Sequence, residues 1–128
     1  MGSAAAKQGD TITATDTHYV QPPSSSPPEP ESFDFDGIID GGLCGSVLIM
    51  GKPAATVDST ATNMPPHIAE SGAFVNPPEN MATIATGSAT VKIGGKAAAR
   101  DGDSADTCDD LGVPQGGTIS AGGSVNIG

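Results

Sequence analysis

Two imidazoles and one thiol stand out among the residues able to do chemistry. His18 lies eight positions after Asp10, His67 eight after Ser59, and Cys108 five after Asp103. Asp10, Ser59 and Asp103 occupy matching places in three similar phrases, so each of three pseudo-equivalent arms carries one soft or borderline donor. If the arms converge, two ring nitrogens and a thiolate sulfur meet, which is the donor set tetrahedral zinc prefers, with iron second. A closed structural zinc site needs a fourth ligand. Asp16, Asp106, Asp109 and a water all qualify by chemistry. Against this stands the plainer reading that two scattered histidines in a small chain are surface residues, and the repeat register is what outweighs it.

The elements that must position these groups are written into a repeat. A shift of 44 positions lays Lys96 on Lys52, Val91 on Val47, Ile93 on Ile49 and Gly95 on Gly51. SVLIMGKPAATV and TVKIGGKAAARD are thus one phrase of strand, tight turn and strand, with glycine where positive φ is needed. Ser124 to Gly128 repeats its first half and Ala4 to Asp10 its second. Joined, the two ends make a third copy, so the chain reads as three units cut open inside one of them. Units that cannot each bury an apolar face close on one another around a shared axis.

Composition agrees with an all-β reading. The 128 residues hold 18 glycines and 11 prolines, with one tyrosine, three phenylalanines and no tryptophan. No window shows apolar spacing of helical period. Valine, isoleucine and alanine must supply a thin core of stacked small side chains. One domain over residues 1–128 is expected, with a Pro/Ser-rich acidic loop inserted at 21–40. That insertion reads as a solvated loop, or else as a docking strip anchored by Phe33 and Phe35.

The net charge of −10 excludes nucleic acid and anionic lipid as natural partners. No apolar run reaches membrane-spanning length and no secretory leader is evident, so export, if it happens, needs another route. Cys44 and Cys108 are not placed for a disulfide and are expected as free thiols. The aspartates of Asp101 to Asp106 miss the calcium-loop pattern, with Ala105 at the fifth place and Asp106 where glycine is required. Neither Gly51-Lys52 nor Gly95-Lys96 continues as a phosphate loop.

At GKPAATV (Gly51 to Val57), GKAAARDGD (Gly95 to Asp103) and AAAKQGD (Ala4 to Asp10) the chain resembles the PAAR-repeat family. The Pro-Ala-Ala-Arg phrase is represented by Pro53 to Thr56 and Ala97 to Arg100. The resemblance implies a small conical β-helix or β-prism of three pseudo-threefold repeats. It implies a non-enzymatic tip that caps and sharpens the trimeric spike of a contractile injection machine for membrane puncture. The machine would be a type VI secretion system, a phage tail or an extracellular injection particle. The partner would be a trimeric spike of valine-glycine-repeat or phage-spike type, met in the cytoplasm before firing and carried outside afterwards.

Family members of the secretion type hold zinc near the point with three histidines and one cysteine. His18, His67 and Cys108 carry over as ligands, while Thr60 to Asn63 stands where the middle copy often has a His-x-Cys phrase. A docking face is expected at Val47, Ile49, Val91, Ile93, Val125 and Ile127, where unpaired strand ends can continue into the spike. An effector-cargo adaptor using the 21–40 insertion is the nearest alternative. A small zinc hydrolase with Glu70 or Asp16 as base is the alternative from another class, and a free-standing β-solenoid binding module is a third.

Overall fold

The computed structural model describes residues 2–69 and 71–128, and among these there are strands but no helix. In chain order the strands are β1 (Ser3–Ala4), β2 (Thr11–Gln21), β3 (Glu29–Gly41), β4 (Cys44–Ile49), β5 (Lys52–Ala54), β6 (Thr60–Asn63), β7 (Ala73–Phe74), β8 (Met81–Ile84), β9 (Lys92–Ile93), β10 (Lys96–Ala97), β11 (Ser104–Asp106), β12 (Gly117–Ser120) and β13 (Asn126–Ile127). Each repeat supplies one short hairpin and one longer pair.

The hairpins are β4–β5, β9–β10 and β13–β1, all antiparallel. The third is assembled from the two ends of the chain, with Ser3 opposite Ile127 and Ala4 opposite Asn126. Its formation completes the unit that the sequence splits. At the turns of the other two, Met50 and Gly51 have φ of 52° and 83°, and Gly94 and Gly95 have 60° and 85°. Positive φ at both central residues matches the right-handed twist of a two-residue hairpin.

Beyond the hairpins the three alanine phrases meet on the axis. Ala6 N–H donates to the Ala99 carbonyl at 2.9 Å, Ala99 N–H to Ala55 at 3.1 Å, and Ala55 N–H back to Ala6 at 3.1 Å. The cycle is closed, and all three alanines are fully buried. Around it Ala5 bridges Arg100, Ala54 bridges Lys7, and Ala98 bridges Thr56, each unit to its neighbour. Backbones this close leave room for a methyl group and little more. Alanine is therefore dictated by geometry, and buried amides that would otherwise cost free energy are satisfied between units.

The longer pairs form a ring in the order β2, β3, β6, β8, β11, β12 and back to β2, each neighbour antiparallel. Ile39, Ile84 and Ile119 enter it equivalently, donating N–H to the carbonyls of Asp10, Ser59 and Asp103 at 2.8 Å in every case. Their side chains are buried with Ile12, Phe35, Ala61 and Ala105. Each such burial contributes about 1.5–3 kcal/mol for a large side chain. The all-β, three-unit architecture expected from the repeat is present.

The expected loop at 21–40 is corrected. Glu29–Gly41 is the longest strand of the molecule and pairs with β2 in ten consecutive positions, Thr11–Ile38 through Val20–Glu29. The connecting loop shrinks to residues 22–28. Prolines and acidic groups obscured a period of two: Phe35, Gly37 and Ile39 point inward, while Asp34, Asp36, Ile38 and Asp40 point to solvent. Gly37 is needed there, since a Cβ would lie 2.6 Å from the Phe35 ring and 3.1 Å from Ala61 Cβ. The docking-strip reading falls with the loop, because Phe35 is core and Phe33 packs on histidines, as described next.

Candidate metal centre

The β2–β3 pair is much longer than its counterparts, so it runs past the ring as a ribbon. Along β2 the inward residues are Ile12, Asp16, His18 and Val20, one face of a period-two strand. Two other segments close on that face. The turn after β6 brings His67 and the loop after β11 brings Cys108. Asp16, His18, His67 and Cys108 each direct one donor atom to a common point, all within 4.8 Å of one another.

Two of the close separations fit donors shared by one ion, and the third, His67 to Asp16, has the length of a hydrogen bond. His67 Nε2 lies 3.0 Å and Cys108 Sγ 3.3 Å from Asp16 Oδ2, and Cys108 Sγ lies 3.7 Å from His18 Nε2. Four bonds of about 2.0–2.3 Å at tetrahedral angles place neighbouring donors about 3.3–3.8 Å apart. The charges also balance, since one carboxylate and one thiolate neutralise a divalent cation in a site where unbalanced charge is costly. Asp16, His18 and His67 are buried and Cys108 is partly so.

Three of the four donors have a neighbouring polar group behind them. Thr107 Oγ1 donates to Asp16 Oδ1 in a short hydrogen bond. His18 Nδ1 lies 3.2 Å from Asp110 Oδ1, close enough for attraction although not aligned as a hydrogen bond. His67 Nδ1 lies 3.3 Å from Asn63 Nδ2. Above the centre the phenylalanines make a roof. Phe33 stands 5.7 Å from the His18 ring and 5.4 Å from the His67 ring, centroid to centroid, and Phe74 on β7 stands 5.7 Å from His18 and 5.3 Å from Phe33. The roof shields the two imidazoles, while Cys108 is only partly buried. Burial foremost, then the Asp16 charge, pushes the Cys108 thiol up to about 11.

His18, His67 and Cys108, placed one per arm by the repeat, thus come together. Of the acidic groups considered for the fourth place, Asp16 joins them. Asp109 instead accepts N–H from Thr17 at 2.7 Å and Val113 at 3.3 Å, and Asp106 accepts from Gln115 at 2.7 Å. The signal that favours Asp16 was present in the sequence: it sits two residues from His18, hence on the same face of the strand. Asn63, Thr107 and Asp110 carried no such signal. Glu70, considered as a hydrolytic base, lies outside the described residues. Asp16, the other base considered, is fully engaged by Thr107, His67 and Cys108. Both cysteines are free thiols.

At the opposite end, the six residues expected to dock split into two groups. Ile49, Ile93 and Ile127 are buried with Ala5, Ala54 and Ala98 in a small core of their own. Their side chains face the axis and are closed to a partner. Val47 and Val91 are partly buried and Val125 is exposed. The apolar side chains that the hairpins present outward also include Leu48 and Met50. No helix among the described residues is long and apolar enough to cross a membrane.

A family model described as PAAR motif matches residues 36–110, more than half of the chain, from the inner part of β3 through the loop bearing Cys108. A comparison with curated proteins returns no match.

Proposed function

The chain belongs to the PAAR-motif family, and from that premise we propose that it caps and sharpens the trimeric spike of a contractile injection machine. The observation that carries this is the closed cycle of backbone hydrogen bonds through Ala6, Ala99 and Ala55. One polypeptide reproduces threefold symmetry at the hairpin end, where it matches a trimer. Beyond the ring that symmetry is abandoned, because only the β2–β3 ribbon continues. A trimer of separate chains would crowd three backbones at the same point.

The hairpin end docks on the spike. Strand edges there continue the spike's own strands, and Leu48, Met50, Val125, Val47 and Val91 supply the apolar contact. The centre lined by Asp16, His18, His67 and Cys108 is the site of one divalent metal ion, zinc by the donors it offers and iron as second choice. The ion, together with the side chains hydrogen-bonded around it, ties together the three arms, whose apolar area is small, and so stiffens the point. In this reading the protein is a structural element and not an enzyme. It is assembled in the producing cell's cytoplasm, is carried outward when the machine fires, and pierces the target membrane without a spanning segment of its own.

The test is stoichiometric. Native mass spectrometry with a soluble trimeric spike should show one chain per trimer. Three chains per trimer, or no complex with any such spike, would remove the capping role.

A further inference from the structure

The two histidines of the centre face different partners, and the difference fixes where each ring carries its proton. At His67 the partner is the Asn63 side-chain amide, whose orientation is set by backbone groups. Asp36 N–H donates to Asn63 Oδ1 at 2.9 Å, so the Asn63 NH₂ points the other way. That NH₂ donates to Asn80 Oδ1 at 3.1 Å and faces His67 Nδ1 at 3.3 Å. Asn80 is itself fixed: its Oδ1 accepts the His67 backbone N–H at 2.8 Å and its Nδ2 donates to the Pro78 carbonyl at 3.2 Å. Reversing either amide would set donor against donor and acceptor against acceptor. His67 Nδ1 must therefore accept, and the ring proton sits on Nε2, aimed at Asp16 Oδ2 3.0 Å away.

At His18 the arrangement is opposite. Nδ1 faces the Asp110 carboxylate, which can only accept. The proton belongs on Nδ1, and Nε2 presents its lone pair toward Cys108. The Asp110 charge 3.2 Å away attracts an N–H at Nδ1 without being aligned as a hydrogen bond, and so favours the tautomer whose Nε2 is free for a metal.

We propose that His67 serves this centre as the hydrogen-bond donor that orients Asp16, held in that role by Asn63, and that the metal is bound by Asp16, His18 and Cys108 with a fourth position left to a small exogenous donor such as water. The inference rests on the reading of the centre as a metal site. It makes Asn63 and Asp110 the positioning residues that assign outer and inner roles to two imidazoles otherwise alike.

Two measurements on the full chain test it. In the metal-free protein, long-range proton–nitrogen correlation spectra should show His18 with its proton on Nδ1 and His67 with its proton on Nε2. The same tautomer at both rings would overturn the assignment without reference to any metal. In the zinc-loaded protein, X-ray absorption should count one imidazole, and Asn63→Asp, which gives His67 a carboxylate partner like that of His18, should raise the count to two. Zinc affinity, read by competition with a chromophoric chelator, should then tighten by about tenfold or more. Two imidazoles in the wild-type zinc complex would sink the proposal while leaving the metal reading intact. Failure of the wild type to bind zinc, cobalt or iron would sink both.

Discussion

Ala6 donates its backbone N–H to the Ala99 carbonyl across 2.9 Å, joining the unit split between the chain ends to the second unbroken copy. Residues far apart along the polypeptide are thereby made neighbours on one axis, and the two ends of the chain complete a hairpin beside them.

That closeness can be probed by size. Ala6→Val or Ala99→Leu should destabilise the fold by about 1–3 kcal/mol through overpacking, visible as a fall of several degrees in thermal midpoint. Ala55→Leu should behave alike, because it holds the equivalent place. A neutral result at all three positions would mean the axis is looser than the hydrogen-bond cycle indicates.

Metal content is the second check. Purified protein should carry about one zinc per chain. Asp16→Asn and Cys108→Ser should each weaken zinc binding by at least about tenfold. Removal of the metal with a strong chelator should lower the unfolding temperature of the wild type and leave Cys108→Ser almost unmoved.

A third expectation concerns alkaline pH. Burial raises the Cys108 thiol from its ordinary value of 9.0 to about 11. In the metal-free chain the folded state therefore keeps a proton that the unfolded state loses first, so stability declines as pH rises from about 9 to about 11. Cys108→Ser should flatten that decline in denaturant melts performed with chelator present. The zinc-loaded wild type should also lack it, because the bound sulfur has no proton to lose.

The hairpin end gives a fourth. Leu48→Asp combined with Met50→Asp should weaken binding to a trimeric spike by more than about tenfold. Both side chains are exposed, so stability should shift by less than about 1 kcal/mol. Equal loss of folding and binding would mean that these residues are needed by the tip itself.

The ribbon's turn gives a fifth. Replacing residues 22–28 with a two-residue Asn-Gly turn should leave zinc content and spike binding unchanged, since the loop supplies no donor to the metal centre and lies at the end of the ribbon away from the hairpins. A pull-down that loses a cargo protein with this deletion would restore the adaptor reading, and unchanged partners would remove it.

How much of this could be read beforehand differs from place to place. The phrases AAAKQGD, PAATVDS and AAARDGD determined the threefold closure, because a repeat too small to bury its own apolar face has one way to do so. The same register placed His18, His67 and Cys108 one to an arm. It could not show that Glu29–Gly41 is a strand, since the Pro, Ser and acid content of that stretch masked an alternation that only pairing with β2 makes stable. Nor could it show that the isoleucines of the hairpins turn inward, which depends on three hairpins meeting. Least accessible of all were the roles at the centre. Sequence supplied two identical imidazoles, and tertiary structure made them different, because the place of a ring proton is decided by whichever backbone-anchored donor or acceptor the fold sets behind it.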